Sequence, residues 1–324
     1  MVSEVDDTLS MELREVEAVA TESDDILVSI DFSGVNFKDT MVAAPKSRVR
    51  RVASLVGGVD AAGTVVDSND HTLPVGTRVA VHGGALGVAR DGGFAQFIYS
   101  PIRYVTPLPD SVTTRIAMII GTAGFTAMES LLALEDHGLE RGSEVLVTGA
   151  TGGVGSQAVA FLAATGYRPV ASTGSPSESP WLMERGAIRV IGRDDVADNP
   201  GRVLASETWA GAIDCVGGET LAQILRSLRY GAAVAASGLV ASAELTTTVF
   251  PFITRSVALL GIDSVEASMA TRARVWSALG AITSRIDFEG LLDREVQLEE
   301  LTSALHDVRD GKTRGRILVN PAPG

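Results

Sequence analysis

Residues 144–156 read EVLVTGATGGVGS, an apolar strand-forming run that meets a glycine-rich turn and opens into a helix-forming stretch at 154–164. Glycines at such a turn let the main chain approach a diphosphate with no Cβ in the way, and the unpaired N–H groups of the helix start supply donors and a partial positive charge. Gly166 follows Thr165 as a helix stop, and a second apolar run at 168–172 completes a strand, turn, helix, strand unit. That context, more than the glycines alone, is what a dinucleotide-binding turn requires; a turn needed only for tight packing is the blander reading.

Downstream the same alternation continues, with runs at 180–185, 188–191, 211–216, 221–228, 232–237 and 257–261, which predicts a parallel sheet with helices on both faces. Upstream, short β-type runs at 26–31, 62–66, 78–81 and 94–99 are broken by Gly, Pro, Asn and Asp, the pattern of a small, strongly bent β domain. Between them Ile116, Ile119, Ile120, Phe125, Met128, Leu131 and Leu132 recur at helical spacing, with an interruption expected at 121–124. Helices near 269–282 and 298–309 and a strand at 316–319 are expected to return to the first domain. The expectation is therefore an α/β chain: a β-rich substrate domain at 1–112 and 262–324, and a Rossmann, doubly wound parallel-sheet domain inserted at 113–261.

The tip of the strand at 168–172 bears on the cofactor. A carboxylate there would bond ribose hydroxyls and repel a 2′-phosphate. This tip reads Ser172, Thr173, Gly174, Ser175, with hydroxyls and no acid, and Arg193 lies one strand further on, where it could add charge. NADPH is the expected cofactor. An ordinary turn beside a solvated arginine is the competing reading.

Composition narrows the partners. With 324 residues and 45% hydrophobic content there is apolar material for two cores. A net charge of −13 repels nucleic acid and anionic membranes. No stretch reaches the roughly 18 uninterrupted apolar residues of a membrane helix. Glu4, Asp6, Asp7 and Glu12 stand where a secretory leader carries basic residues, so a cytoplasmic protein is expected. Cys215 is the single cysteine, and His71, His82, His137 and His306 are scattered without metal-ligand spacing. No metal site is expected, which leaves hydride transfer without metal activation of a carbonyl.

Longer blocks carry a resemblance: 36–39 (NFKD), 58–66 (GVDAAGTVV), 93–96 (GFAQ), 120–127 (IGTAGFTA), 147–155, 209–214 (WAGAID), 247–253 (TTVFPFI) and 261–264 (GIDS). Together they resemble the acrylyl-CoA reductase/zinc-independent quinone oxidoreductase branch of the medium-chain dehydrogenases/reductases, over nearly the whole chain. The resemblance implies a GroES-like substrate domain beside the Rossmann domain, NADPH-dependent reduction of an activated C=C bond, and a homodimer formed through an edge strand of the Rossmann sheet, here 257–261. It also implies cofactor contacts at Phe37, Thr151, Gly152, Gly153, Val154, Thr173, Gly174, Ser175, Arg193, Leu239, Ile253 and Ser264. Three departures stand out. Phe37 replaces the usual Tyr, Ser175 replaces an Arg, and the loop 82–91 (HGGALGVARD) lacks the family's tryptophans and its Glu-Asn-His run.

The reaction expected is a 1,4-reduction of an enoyl thioester such as acryloyl-CoA, in which charge gathers on the carbonyl oxygen and the α-carbon is protonated. Such an enolate needs donors, for which backbone N–H groups and the Asn36 amide are the candidates. Lys38 and Asp39 are expected to pair with each other near the surface. An acyl-CoA also needs positive charge, and the run 46–51 (KSRVRR) offers Arg48, Arg50 and Arg51 as phosphate contacts. Two alternatives remain: a quinone or enone reductase, which needs no basic loop, and a non-catalytic NADPH-binding sensor.

Overall fold

The computed structural model describes residues 1–5, 8–196 and 202–322; Asp6 and Asp7, two of the acids near the start, lie outside the described residues. The chain divides into two compact units: Met1–Thr122, Ser264–Thr283 and Phe288–Gly324 form unit 1, and Ala123–Asp263 with Ser284–Asp287 form unit 2. The first division falls at Thr122, inside the helix Thr114–Asp136. By length and composition that helix could cross a membrane, but 72% of its apolar window is buried in the protein, as in a core helix. Gly121, at φ 53° and ψ −164°, breaks it where the sequence predicts an interruption.

Unit 2 holds a six-stranded parallel sheet in the order Arg189–Ile191, Arg168–Ser172, Glu144–Val147, Gly211–Asp214, Ala233–Ala236, Ala258–Gly261. Strands covered on both faces must be apolar throughout, and Val145, Leu146 and Val147 are all fully buried. The helices Gly153–Ala164, Ser179–Glu184, Gly218–Ser227 and Phe250–Arg255 alternate with the strands, so the doubly wound α/β architecture is as the sequence predicts. Chain direction across the sheet reverses between the 144–147 and 211–214 strands, the switch point at which ligands of such sheets bind. The 258–261 strand is an edge, with Leu259 39% exposed.

Unit 1 is a seven-stranded, mainly antiparallel sheet built on the long strand Asp25–Val35, which pairs with Asp60–Asp67, Phe97–Pro101 and the C-terminal Arg316–Asn320. Along it burial alternates with period two: Ile26, Val28 and Ile30 enter a core shared with Val65, Val79 and Ile98. Several elements have no counterpart in the sequence reading: the N-terminal hairpin Val2–Val5/Thr8–Met11, the helix Phe37–Val42 and the strand Leu292–Gln297. Each spans only one or two side-chain repeats per face, too few for periodicity to register.

Candidate functional site

In unit 2 the glycine turn leaves the 144–147 strand through Gly149, whose φ of +59° a side chain would strain. Gly152 caps the helix Gly153–Ala164 in an extended conformation. A Cβ on Gly155 would stand 2.3 Å from the Gly149 carbonyl oxygen, so glycine is what lets the helix start pack onto the turn. Thr151, Gly152, Gly153 and Val154 remain at least partly accessible. The Gly152 N–H is taken by the Gly149 carbonyl at 3.0 Å, while those of Gly153 and Val154 belong to the helix start, where no preceding helical turn can accept them. The cradle therefore has the shape and the donors that a nucleotide diphosphate needs.

At the next strand tip Ser172 and Thr173 are buried, while Gly174 and Ser175 are exposed. The Arg193 guanidinium lies across Gly174: a Cβ there would meet its Cζ at 2.3 Å and its Nε and Nη2 at 2.4 Å. Sequence reasoning expects charge at this tip, and the fold brings Arg193 to it. Asp195 turns aside, accepting from the Gly192 N–H at 3.1 Å. Leu239 and Ile253 are 51% and 72% exposed, apolar surface at the carboxyl end of the 233–236 strand and on the helix Phe250–Arg255. Cys215 sits under the glycine turn, its Cβ 3.3 Å from where a Cβ on Gly149 would be; burial, and then the Asp214 charge, push its thiol far above the usual range.

In unit 1 the expected substrate-side residues resolve differently. Asn36 is buried, and its amide is committed: Nδ2 donates to Asp60 Oδ2 at 2.8 Å and to the Gly34 carbonyl at 3.2 Å, while Oδ1 accepts from Arg316 Nη1 at 3.0 Å. With both amide hydrogens used inside the protein, Asn36 has no donor left for an enolate, and that expectation is corrected. Asp39 does not stand at the surface. It is 3% exposed, accepts from the Asn36 and Val59 N–H groups at 2.8 and 3.0 Å, and its acid is pushed up to about 7, first by burial and then by the Asp60 charge.

Asp60 is the centre of this cluster. It also accepts from the Gly34 and Thr122 N–H groups at 3.2 and 2.8 Å, with Arg316 Nη2 3.8 Å from its Oδ2. Arg316 donates further to the Val35 and Ile119 carbonyls. No side chain fits between them: a Cβ on Gly34 would lie 2.4 Å from Arg316 Nη2, and one on Gly121 would lie 2.5 Å from it. Arg316 went unread in the sequence. The available signal was Arg316 at the head of an otherwise uncharged strand and the acid Asp60 at the head of the strand 60–67.

Phe37, 39% exposed, opens the helix Phe37–Val42, and Ser264 is buried at 7%. Of the basic run, Arg48 and Arg51 are exposed, but Arg50 is turned inward to Glu4 and to the Val42 carbonyl. Arg50 is thereby removed as a phosphate contact, because its charge is already met. His82, fully buried, is held by Arg272, which bonds its ring at 3.0 and 3.2 Å, its carbonyl at 2.8 Å and the Val265 carbonyl at 3.0 Å. Burial first, and then the Arg272 charge, keep that imidazole well below the ordinary histidine range.

Comparison with known proteins agrees with this geometry. Residues 22–110 match the alcohol dehydrogenase GroES-like domain and residues 153–279 the zinc-binding dehydrogenase family. The chain is 42% identical to the putative quinone oxidoreductase YhfP of Bacillus subtilis, over 97% of this chain and 95% of that protein. It is also 42% identical to the acrylyl-CoA reductase AcuI of Ruegeria pomeroyi, over 91% and 90%. The solved structure of YhfP with NAD bound superposes with a TM-score of 0.94 at 40% identity, covering 99% of this chain and 98% of that one. Escherichia coli K-12 YhdH with bound NADPH gives 0.92 at 37% identity, covering 98% of each. The chain is therefore an oxidoreductase of the medium-chain dehydrogenase/reductase superfamily, with a GroES-like and a Rossmann-type domain. Within it, the chain belongs to the acrylyl-CoA reductase branch.

The zinc in that family's description does not fit the residues here. Among the described residues no group of three or more His, Cys, Asp or Glu could hold a metal ion. Cys215 is packed under the glycine turn, and His82 faces a fixed guanidinium that opposes a second cation.

Proposed function

We propose that the chain is an NADPH-dependent, zinc-independent reductase of activated C=C bonds, with an enoyl-CoA such as acryloyl-CoA as its acceptor. The observation that carries the cofactor half is the strand tip: no carboxylate at 172–175, and the Arg193 guanidinium lying over Gly174. A 2′-phosphate would be repelled by a carboxylate there and is matched by a guanidinium and by the Thr173 and Ser175 hydroxyls. The 42% identity to an acrylyl-CoA reductase supports the acceptor half.

The chemistry NADPH supplies when bound is donation of hydride to the β-carbon. Thr151, Gly153 and Val154 would hold the diphosphate through main-chain N–H groups, and Leu239 and Ile253 would offer apolar cover toward the nicotinamide. With the Asn36 amide spent inside unit 1, the donors to the developing enolate are backbone N–H groups. Phe37 has no hydroxyl to give, which leaves water or another cleft side chain as the source of the α-proton. The exposed Arg48 and Arg51 remain as contacts for coenzyme A phosphates.

The inward pairing of Arg50 favours a second reading, an uncharged quinone or enone acceptor, which accords with the name of the Bacillus relative. Parallel rates of NADPH oxidation with acryloyl-CoA, crotonyl-CoA and a naphthoquinone separate the two. The enoyl-CoA reading expects the highest kcat/KM on acryloyl-CoA; turnover of the quinone alone contradicts it. The same protein run on light scattering tests the homodimer we infer through the 258–261 edge, where a monomer is the contrary result.

A further inference from the structure

Three adjacent parallel strands of unit 2 end at one level, with Val147 beside Ile213 and Asp214 beside Ala236. Ligands of open parallel sheets lie beyond such carboxyl ends. The middle strand ends in Asp214, which is fully buried. Its carboxylate accepts from Thr148 Oγ1 at 2.6 Å, from the Gly217 N–H at 2.8 Å and from the Val216 N–H at 3.3 Å. Its main-chain carbonyl accepts from the Ser237 and Gly238 N–H groups at 3.0 and 3.3 Å. Thr148 Oγ1 in turn accepts from the Cys215 N–H at 3.1 Å.

One residue thus ties together the loops that follow all three strands: the diphosphate turn after Thr148, the Gly217–Gly218 turn, and the loop that carries Leu239. The joints have no slack. Gly217 and Gly218 have φ of +77° and +58°, and a Cβ on Gly238 would fall 1.8 Å from the Cys215 carbonyl carbon. A buried carboxylate is a costly way to fill space, and this one is satisfied by a hydroxyl and main-chain N–H groups, not by a cation. An apolar side chain would pack as well and keep the main-chain tie to the Leu239 loop, but it could not hold the Thr148 and Gly217 turns to that tie.

We infer that Asp214, acting through Thr148, is a positioning residue for the dinucleotide, fixing the diphosphate turn relative to the Leu239 loop. The inference rests on the proposed cofactor reading. It also has a direction: Thr173, Gly174, Ser175 and Arg193, at the adenosine end, share none of these bonds, so losing the tie should weaken the whole dinucleotide and spare an adenosine-end fragment.

The test measures dissociation constants by calorimetry for NADPH and for adenosine 2′,5′-bisphosphate on wild type, Thr148→Val, Thr148→Ser and Asp214→Asn. Thr148→Val should raise the NADPH constant about tenfold. The bisphosphate should stay within about twofold, and Thr148→Ser should restore NADPH binding, because the hydroxyl and not the methyl makes the bond. Asp214→Asn should behave like Thr148→Val; if it does not fold, the threonine pair decides alone. Equal weakening of both ligands, or unchanged NADPH binding in Thr148→Val, overturns the inference and leaves the cofactor reading standing. A wild type that binds neither ligand overturns the cofactor reading, and this inference with it.

Discussion

Asp214 in unit 2 and Asp60 in unit 1 are both strand-borne, fully buried and hydrogen-bonded by neutral donors, yet Asp60 also has a buried cation beside it. Asp214 is met by a hydroxyl and main-chain N–H groups within a short compass of chain around a turn. Asp60 faces Arg316, and its neighbour Asn36 bonds the same arginine across 280 residues of sequence. A carboxylate met only by neutral donors can be weakened one bond at a time. A buried charge set against another charge fails when either side goes, because the survivor is left unpaired.

The largest effect should therefore come from Arg316→Met, which leaves Asp60 and Asn36 without their cation. A loss of about 3–5 kcal/mol in urea unfolding is expected. Thr148→Val in unit 2 should lose only about 1–2 kcal/mol. Equal losses would erase the contrast.

Asp39 sharpens it next. Its acid is held up at about 7 by burial and by the Asp60 charge, against an ordinary aspartate value of 3.8 in the unfolded chain. Between those values the native state binds the extra proton, so this group's contribution to stability is greatest below the unfolded value, falls as pH rises through the window, and levels off above about 7. The expected decline from pH 5 to 7 is on the order of 2 kcal/mol, and Asp39→Asn should remove it. Unfolding midpoints of the two proteins that run parallel across this range would count against the assignment.

In unit 2 the effects should fall on ligand affinity. Gly155→Ala forces a Cβ to 2.3 Å from the Gly149 oxygen, and NADPH binding should weaken by at least about tenfold, read by nucleotide fluorescence. The smallest and most selective change is expected from Gly174→Val. Displacing the Arg193 guanidinium should reduce the preference for NADPH over NADH by roughly tenfold or less while NADH binding holds. A parallel loss for both coenzymes would mean that Arg193 is not the discriminating group.

The same contrast explains what could be read from the sequence. In unit 2 the determinants are local: strand, turn and helix lie within 144–164, and the alternation that follows fixes the parallel sheet. Arg193 could be placed at the strand tip because adjacent parallel strands bring their ends together. In unit 1 the motif residues were visible but their roles were not, because the partners that define them are distant. Asn36 reads as a free amide until Arg316 and Asp60 are seen around it, and Arg50 reads as a surface charge until Glu4 is found 46 residues earlier. The hairpin at 2–11 and the strand at 292–297 are too short for periodicity to register.

The central claim is that unit 2 grips a dinucleotide and that its second strand tip accommodates a 2′-phosphate. Calorimetric titration of the unmodified protein with NADPH and with NADH tests it most directly. NADPH should bind at least about tenfold tighter; tighter binding of NADH, or no heat with either coenzyme, would contradict it.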